Sequence, residues 1–373
     1  MNAPENKTVI RPLKFATEEA YSESPHKVVD VLYRPMSQVR AQAIRWLWPG
    51  RIAKGKVSMI VGNPGLGKSQ VCASLASVVS NGGRWPVDRT EAEVGNVIIL
   101  SAEDDAEDTI RPRLEAAGAD LDRIFLLQAI EAEDEKGKSF ERSFNLVNDI
   151  PRLAALIHKI GGCELVIIDP ITAYLGAADS HKNAEVRSLL APLQLQAAKL
   201  GMAVLAVSHL TKSQGTDALQ RVQGSVAFAA AARAVWGVTK DKDDPARRLF
   251  LPLKNNLGID NSGLAYRVES FVLPESDPPI GTSRVMWEPD KVTVSADEAF
   301  SNVAKNFDEH NALEDAKDFL RGLLATGPVP SKQVRSDAEA SGHSWATICR
   351  AQRDLKIESE KSGFKEPWMW RLP

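Results

Sequence analysis

Gly62-Asn63-Pro64-Gly65-Leu66-Gly67-Lys68-Ser69 is the stretch on which the reading of this chain turns. It satisfies the whole pattern G-x-x-x-x-G-K-[ST] of a phosphate-binding loop. The residues before it, Val57-Ser-Met-Ile-Val61, are short, apolar and β-rich, and those after it, Val71 to Val79, have helical character. Strand, loop and helix in that order are the setting the pattern requires. The glycines let successive backbone N–H groups turn towards one anion, and the following helix adds its positive end. Lys68 is then placed to reach the β- and γ-phosphates, and the Ser69 hydroxyl to hold Mg²⁺. ATP and Mg²⁺ are the expected ligands, with Gly62, Asn63, Pro64, Gly65, Leu66, Gly67, Lys68, Ser69 and Gln70 around the nucleotide.

Moving outward, apolar runs at 96–100, 124–127, 165–168, 203–207, 234–238 and 249–253 alternate with helical stretches at 106–118, 144–160 and 183–200. Strands apolar on both faces and separated by helices predict an α/β fold, a mostly parallel sheet flanked by helices. Runs at 264–271 and 283–287 around a Pro- and Gly-containing turn predict a closing antiparallel hairpin. Four segments follow: an arm or linker over 1–45, a nucleotide-binding core over 46–290, a polar linker over 291–311 and a small domain over 312–373. In the last, an amphipathic helix 313–324 stops at Gly327-Pro-Val-Pro330, and two short helices, with Ser331 and Ser344 as expected N-caps, precede a β wing over 357–372. That order is winged-helix-like.

With 373 residues, 43% hydrophobic and 25% charged, the chain has ordinary globular composition and room for a large core plus a smaller module. Its net charge of −3 neither favours nor excludes nucleic acid, because basic residues can still cluster. Cys72, Cys163 and Cys349 are too few and too far apart for a disulfide framework or a zinc site. The N-terminus lacks an apolar signal core and no apolar run reaches ~18 residues, so a cytoplasmic protein without a membrane partner is expected.

Hydrolysis needs more than a phosphate loop: an activated water, a second hold on the metal and a cation at the γ-phosphate. Leu165-Val-Ile-Ile-Asp169 is an apolar strand ending in an acid, and Asp169 is the candidate to order the Mg²⁺ shell, the alternative being an acid that caps the turn before Pro170. Val97-Ile-Ile-Leu-Ser-Ala-Glu-Asp-Asp105 places acids at another strand end, where open α/β sheets bind ligands. Glu103 is the candidate base, with helix capping as its alternative, while Asp104 and Asp105 are expected to cap the next helix. Ala206-Val-Ser-His-Leu210 carries His209 to a third strand end, either as a γ-phosphate sensor or as a structural histidine. Thr172, Lys182, Lys212 and Arg221 follow these strands and either face a polyanion or are solvated loop residues.

The set of Gly62 to Ser69, Ser101-Ala-Glu-Asp104, Ile168-Asp-Pro170, Val207-Ser-His-Leu210, Gln223-Gly-Ser225 and Leu253-Lys-Asn-Asn256 resembles the RecA/DnaB-like ATPases, and looks nearest to RepA-type hexameric replicative helicases and related phage and plasmid ATPases. The resemblance covers about residues 45–290 and implies a RecA-like fold, a homo-oligomeric ring, single-stranded DNA at the core loops and ATP between subunits, where a neighbour's basic residue completes the site. By position that residue is Arg233 or Lys254. The family's Lys-x-Arg pair reads Lys254-Asn-Asn256 here, and Arg233 alternatively pairs with a carboxylate at a helix end. The C-terminal module is expected to meet duplex DNA or a protein partner through Arg350, Arg353, Lys356, Lys361 and Lys365, among which Glu358, Glu360 and Glu366 are interspersed.

Overall fold

The structure, a computed structural model, describes residues 33–134, 136–176, 183–210, 219, 226–258, 262–274, 276–325, 327–341, 343–361 and 368–373. It divides into two units at Ala43/Ile44. In the first, the described residues hold a single 3₁₀ turn, Met36–Gln38.

The second unit opens with a small hairpin of β1 (Trp46–Trp48) and β2 (Ile52–Ala53), ahead of β3 (Val57–Gly62). β3 runs into the glycine-rich loop and helix α1 (Lys68–Asn81). β4 (Val97–Ser101), a π-type turn over Ala106–Ile110, α2 (Arg111–Ala116), β5 (Ile124–Leu126) and a hairpin of β6 (Ile130–Glu133) and β7 (Ser139–Arg142) follow. Then come α3 (Ile150–Lys159), β8 (Leu165–Asp169), α4 (Asn183–Leu200), β9 (Ala203–His209), α5 (Val226–Ala231), β10 (Ala234–Lys240), β11 (Arg247–Asn255), β12 (Leu264–Leu273) and β13 (Ile280–Trp287).

Nine of these strands make one sheet in the order β13-β12-β11-β10-β3-β9-β8-β4-β5. From β10 to β5 every pairing is parallel, and from β10 to β13 every pairing is antiparallel. The parallel strands are apolar throughout because both faces are covered. On one face Val57, Met59 and Val61 of β3 and Ile98 and Leu100 of β4 pack with α3, α4 and α5; on the other, Ile60, Val97 and Ile99 pack with α1, Trp48 and Trp85. Each such fully buried aliphatic side chain contributes roughly 1.5–3 kcal/mol of transfer free energy. The result is a rigid central sheet whose strand ends can hold charged groups in register.

Two expected boundaries moved. The helix expected over 144–160 begins only at Ile150, since the Asn145 side chain accepts from the Val147 amide (2.7 Å) and diverts the chain into a turn, and Pro151 suits a first helical turn. The turn delivers Asp149, fully buried, to Arg142 (2.6 and 2.7 Å), Arg152 (2.9 Å) and the Asn145 amide (2.9 Å). The bidentate bond from Arg142 outweighs the effect of burial and holds the Asp149 carboxyl below its ordinary value. Asp149→Ala is therefore expected to cost about 2 kcal/mol of stability at neutral pH, because it strands two guanidinium partners and an amide. A depressed folded-state value means that this stabilisation is complete above the unfolded carboxylate pKa near ~3.9 and is lost as pH falls through the folded value. Urea titrations of both proteins at pH 7 and pH 3 should show the gap closing at low pH; an equal gap at both would contradict the assignment.

The second change is at the expected linker. Residues from Ala296 to Leu324 form one helix, α6, capped by Ser295, whose hydroxyl accepts from the Glu298 amide (3.2 Å). Its first turn belongs to the core: Phe300 is 3% exposed and lies so close over Gly237 that a Cβ there would stand 2.7 Å from the ring. Beyond α6 lie β14 (Val329–Pro330), α7 (Ser331–Ala340), α8 (Trp345–Asp354), β15 (Glu358–Glu360) and β16 (Met369–Arg371). The three strands form a separate sheet, β14-β16-β15, and with the helices enclose Ala316, Leu320, Val334, Ile348, Ala351 and Trp370. Ser344 caps α8 as expected, accepting from the Thr347 amide (3.2 Å), whereas Ser331 is already helical and Pro330 holds the cap position. The expected turn at Gly327–Pro330 gains a strand because Val329 and Pro330 pair with Trp370 and Met369.

Candidate active site

Register builds the site. Gly62 at the end of β3 pairs with His209 at the end of β9, and Ser101 at the end of β4 pairs with Asp169 at the end of β8. Four parallel strands thus deliver the loop, the histidine and the acids to one sheet edge. The loop turns there through left-handed backbone at Gly65 and Gly67 (φ 74° and 84°). At Gly67 a side chain would also meet Val268 at 3.0 Å, so any substitution there is both crowded and strained in its backbone.

Lys68 is 5% exposed and folds back over the loop, donating to the carbonyls of Gly62 (2.9 Å) and Asn63 (3.0 Å). Its ammonium also lies 3.2 Å from His209 Nδ1. With Nδ1 accepting, the tautomer carries its hydrogen on Nε2, which faces Glu103 Oε1 at 3.6 Å. Lysine, histidine and glutamate form a chain across the cleft. The Ser69 hydroxyl bonds the Asp169 carboxylate, an oxygen pair of the kind that could hold one divalent cation. Burial pushes the Asp169 carboxyl up; the Ser69 bond and Lys68 oppose the rise, and Glu103 and Asp104 reinforce it. Burial likewise pushes the Lys68 ammonium down, against the pull of Asp169 and Glu103. The open cleft, about 300 Å³, is lined by Pro64, Gly65, Gly67, Lys68, Ser69, Gln70, Glu103, Asp104, Arg113, Asp169 and His209. A curled loop at a helix N-terminus, a buried lysine bonded to two carbonyls and a histidine, and a hydroxyl–carboxylate pair suit a polyphosphate with a divalent cation.

Other expected residues stand elsewhere. Leu66 is buried and serves through its carbonyl, which accepts from Tyr266 OH (2.8 Å). The Gln70 carboxamide turns away from the phosphates: its oxygen faces Ser283 Oγ (2.6 Å) and Arg113 Nε (3.1 Å), and its nitrogen the Ser283 carbonyl (2.9 Å). Asp104 is not a helix cap but an ion-pair partner of Arg113 (2.6 Å), and Asp105, at the cap position of the π-type turn, makes no side-chain cap bond. Arg233 and Lys254 lie at the opposite sheet edge, where Arg233 N donates to Val57 O at the start of β3. Lys254 Nζ donates to the carbonyls of Ala229, Ala230 and Ala232 (2.8–3.0 Å), closing the C-terminus of α5, and burial together with Arg233 holds its pKa down. Arg233 is exposed rather than buried against a carboxylate. Thr172 is half-buried in a 3₁₀ turn after β8; Lys182, Lys212, Arg221, Gln223–Ser225, Lys365 and Glu366 lie outside the described residues.

Arg113 and Tyr266 are the site residues that sequence reading missed. Arg113 is one of two arginines on a short helix, and Tyr266 one aromatic of a β hairpin, so neither has a local signal.

A family model described as an AAA domain matches residues 22–215, just over half of the chain, and the chain belongs to that family. With its parallel sheet, glycine-rich loop and acidic strand ends, it is a RecA/DnaB-like P-loop ATPase. It is similar to the DNA repair protein RAD51 homolog 4 of Mus musculus, with 27% identity over 177 residues, 42% of this chain and 47% of that protein. The chain thus spans about half the length of that curated relative. Among solved structures, one described as an ATPase domain matches with a TM-score of 0.43 and 14% identity, covering 60% of this chain and 88% of that one. Among the described residues no helix is long and apolar enough to cross a membrane.

Proposed function

We propose that this chain is a Mg²⁺-dependent ATPase that assembles as a ring, hexameric by its family resemblance, and acts on DNA as a helicase or replication ATPase of a mobile element. The observation that carries the reading is the division of charge between the two sheet edges. Lys68, Ser69, Asp169, Glu103 and His209 gather at one edge, while Arg233, an exposed cation, stands at the other and cannot reach its own chain's cleft. A neighbouring subunit supplies the missing cation when copies pack edge to edge. Because Lys254 spends its three hydrogens on α5, Arg233 is the better trans residue.

In this reading Gly62 to Ser69 cradle the phosphates of ATP, and Ser69 and Asp169 would hold Mg²⁺, which would offset their charge. Glu103 takes the proton of a water as its oxygen bonds the γ-phosphorus and the bond to the β,γ-bridging oxygen breaks, giving ADP and phosphate. His209, bonded to Lys68 and facing Glu103, senses the γ-phosphate. The relative named as a DNA repair protein supports DNA as the polymer, contacted as a single strand by the core loops. The C-terminal helices and three-stranded sheet, with their own core, we read as a winged-helix-like domain that meets duplex DNA, its exposed cations being Arg350, Arg353, Lys356 and Lys361. That independent core also favours a second reading, a nucleotide-gated DNA-binding or loading factor that turns over slowly.

Mixing tests the shared site. Lys68→Ala subunits have dead clefts but intact Arg233, and Arg233→Ala subunits have the reverse. Each alone should be nearly inactive, since a trans cation contributes ~10³-fold or more in rate. Equimolar mixing should restore turnover at interfaces pairing an intact cleft with an intact arginine. A mixture no more active than its parents, or a fully active Arg233→Ala protein, would contradict the shared site.

A further inference from the structure

Glu103 sits on a length of chain pinned on both sides. Before it, the Ala102 amide donates to the Asp169 carbonyl (3.1 Å), tying the end of β4 to the end of β8. After it, the Asp104 carboxylate accepts from Arg113 Nη1 (2.6 Å), and the Asp105 carbonyl accepts from the Ile110 amide (2.9 Å). Arg113 reaches this point from α2 and bonds with its Nε the carboxamide of Gln70, which directly follows Ser69. One guanidinium therefore links the residue after Glu103 to the residue after Ser69. Gln70 is itself held by Ser283 of β13, so the link is braced from the sheet. The Arg113–Asp104 pair is 26% and 27% exposed, enough enclosure that water screens it only in part.

We propose that Arg113 is a positioning residue for hydrolysis, a strut that, through Asp104 and Gln70, fixes the offset between the Glu103 carboxylate and the phosphate loop. The inference rests on reading the cleft as an ATPase site with Glu103 as its base. The Glu103 side chain is 59% exposed, and among the described residues His209 at 3.6 Å is its one side-chain partner, so its aim depends on its backbone. Misplacing a reacting group by about 1 Å costs up to ~10²-fold in rate. A strut acts on the transition state and leaves the loop that grips the nucleotide unchanged.

The test uses the full chain with ATP and Mg²⁺, measuring kcat and KM of phosphate release and, separately, equilibrium binding of ADP. Arg113→Ala and Asp104→Asn should each lower kcat about 10- to 100-fold while KM and ADP affinity stay within about threefold. The double variant should be no slower than Arg113→Ala alone, because both changes remove the same link. Arg113→Lys keeps the charge but loses the fork and should fall between wild type and alanine. Thermal unfolding of each variant separates misfolding from misplacement, and the lysine variant keeps the test informative if alanine disrupts α2. A tenfold rise in KM with kcat retained would overturn the proposal in favour of direct nucleotide contact by Arg113. Fully additive losses, or Asp104→Asn with wild-type kcat, would overturn it while leaving the ATPase reading intact, provided Glu103→Gln is inactive. A wild-type protein that releases no phosphate overturns both.

Discussion

Replacing Lys68 by alanine is expected to abolish ATP hydrolysis, with a loss of at least about 10²–10³-fold in rate and a large fall in nucleotide affinity. The ammonium is buried, bonded to two loop carbonyls and to His209, and contributes in two ways at once. It neutralises the terminal phosphates, and before they arrive it holds the loop closed on Gly62 and Asn63. Burial lowers its pKa against the pull of Asp169 and Glu103, so an incoming polyanion further favours its charged form. Equilibrium titration with a fluorescent ADP analogue and steady-state phosphate release read the two effects separately. Wild-type affinity and turnover in Lys68→Ala would remove the phosphate loop from the mechanism.

Glu103→Gln should behave differently, keeping nucleotide affinity within a few-fold and losing about 10²–10⁴-fold in turnover. The carboxamide preserves the shape but cannot take the water's proton. The position supports that role, since Glu103 faces the cleft and His209 and caps no helix. Single-turnover measurement at saturating ATP isolates the chemical step. A variant that binds ATP poorly but hydrolyses what it binds at the normal rate would make Glu103 a structural residue instead.

What the sequence made legible follows a physical pattern. The phosphate loop is contiguous, so its residues needed no tertiary information. Glu103, Asp169 and His209 stand out as candidates because each lies at or just beyond the end of an apolar run, and in a parallel sheet strand ends collect ligands. Arg113 was invisible because its partners are nine and forty-three residues away and no local pattern singles out one arginine on α2. Lys254 reads from the sequence as a candidate trans cation because its acceptors are carbonyls at the end of α5, a helix too short and alanine-rich to announce where it stops. The polar stretch ahead of residue 312 reads as a linker, although Ser295 and Glu298 form an N-terminal capping pattern and Ala299 and Phe300 pack the start of the helix on the core. Gln70 lies next to the loop in sequence, and adjacency alone places it at the nucleotide. The structure gives its side chain to Ser283 and Arg113.

The two edges of the sheet make a mechanical argument as well. In the proposed ring, a cleft on one edge of the sheet and an exposed arginine on the other would meet between copies arranged head to tail. The proposed arrangement predicts that specific activity rises with assembly.

The measurement that tests the central claim most directly is steady-state phosphate release by the full chain at saturating ATP and Mg²⁺, compared with Lys68→Ala at equal concentration. The account predicts sustained release by the wild type, faster with single-stranded DNA, and at most a trace by the variant. Equal rates from the two proteins, or no release by either at concentrations where the chain assembles, would contradict it.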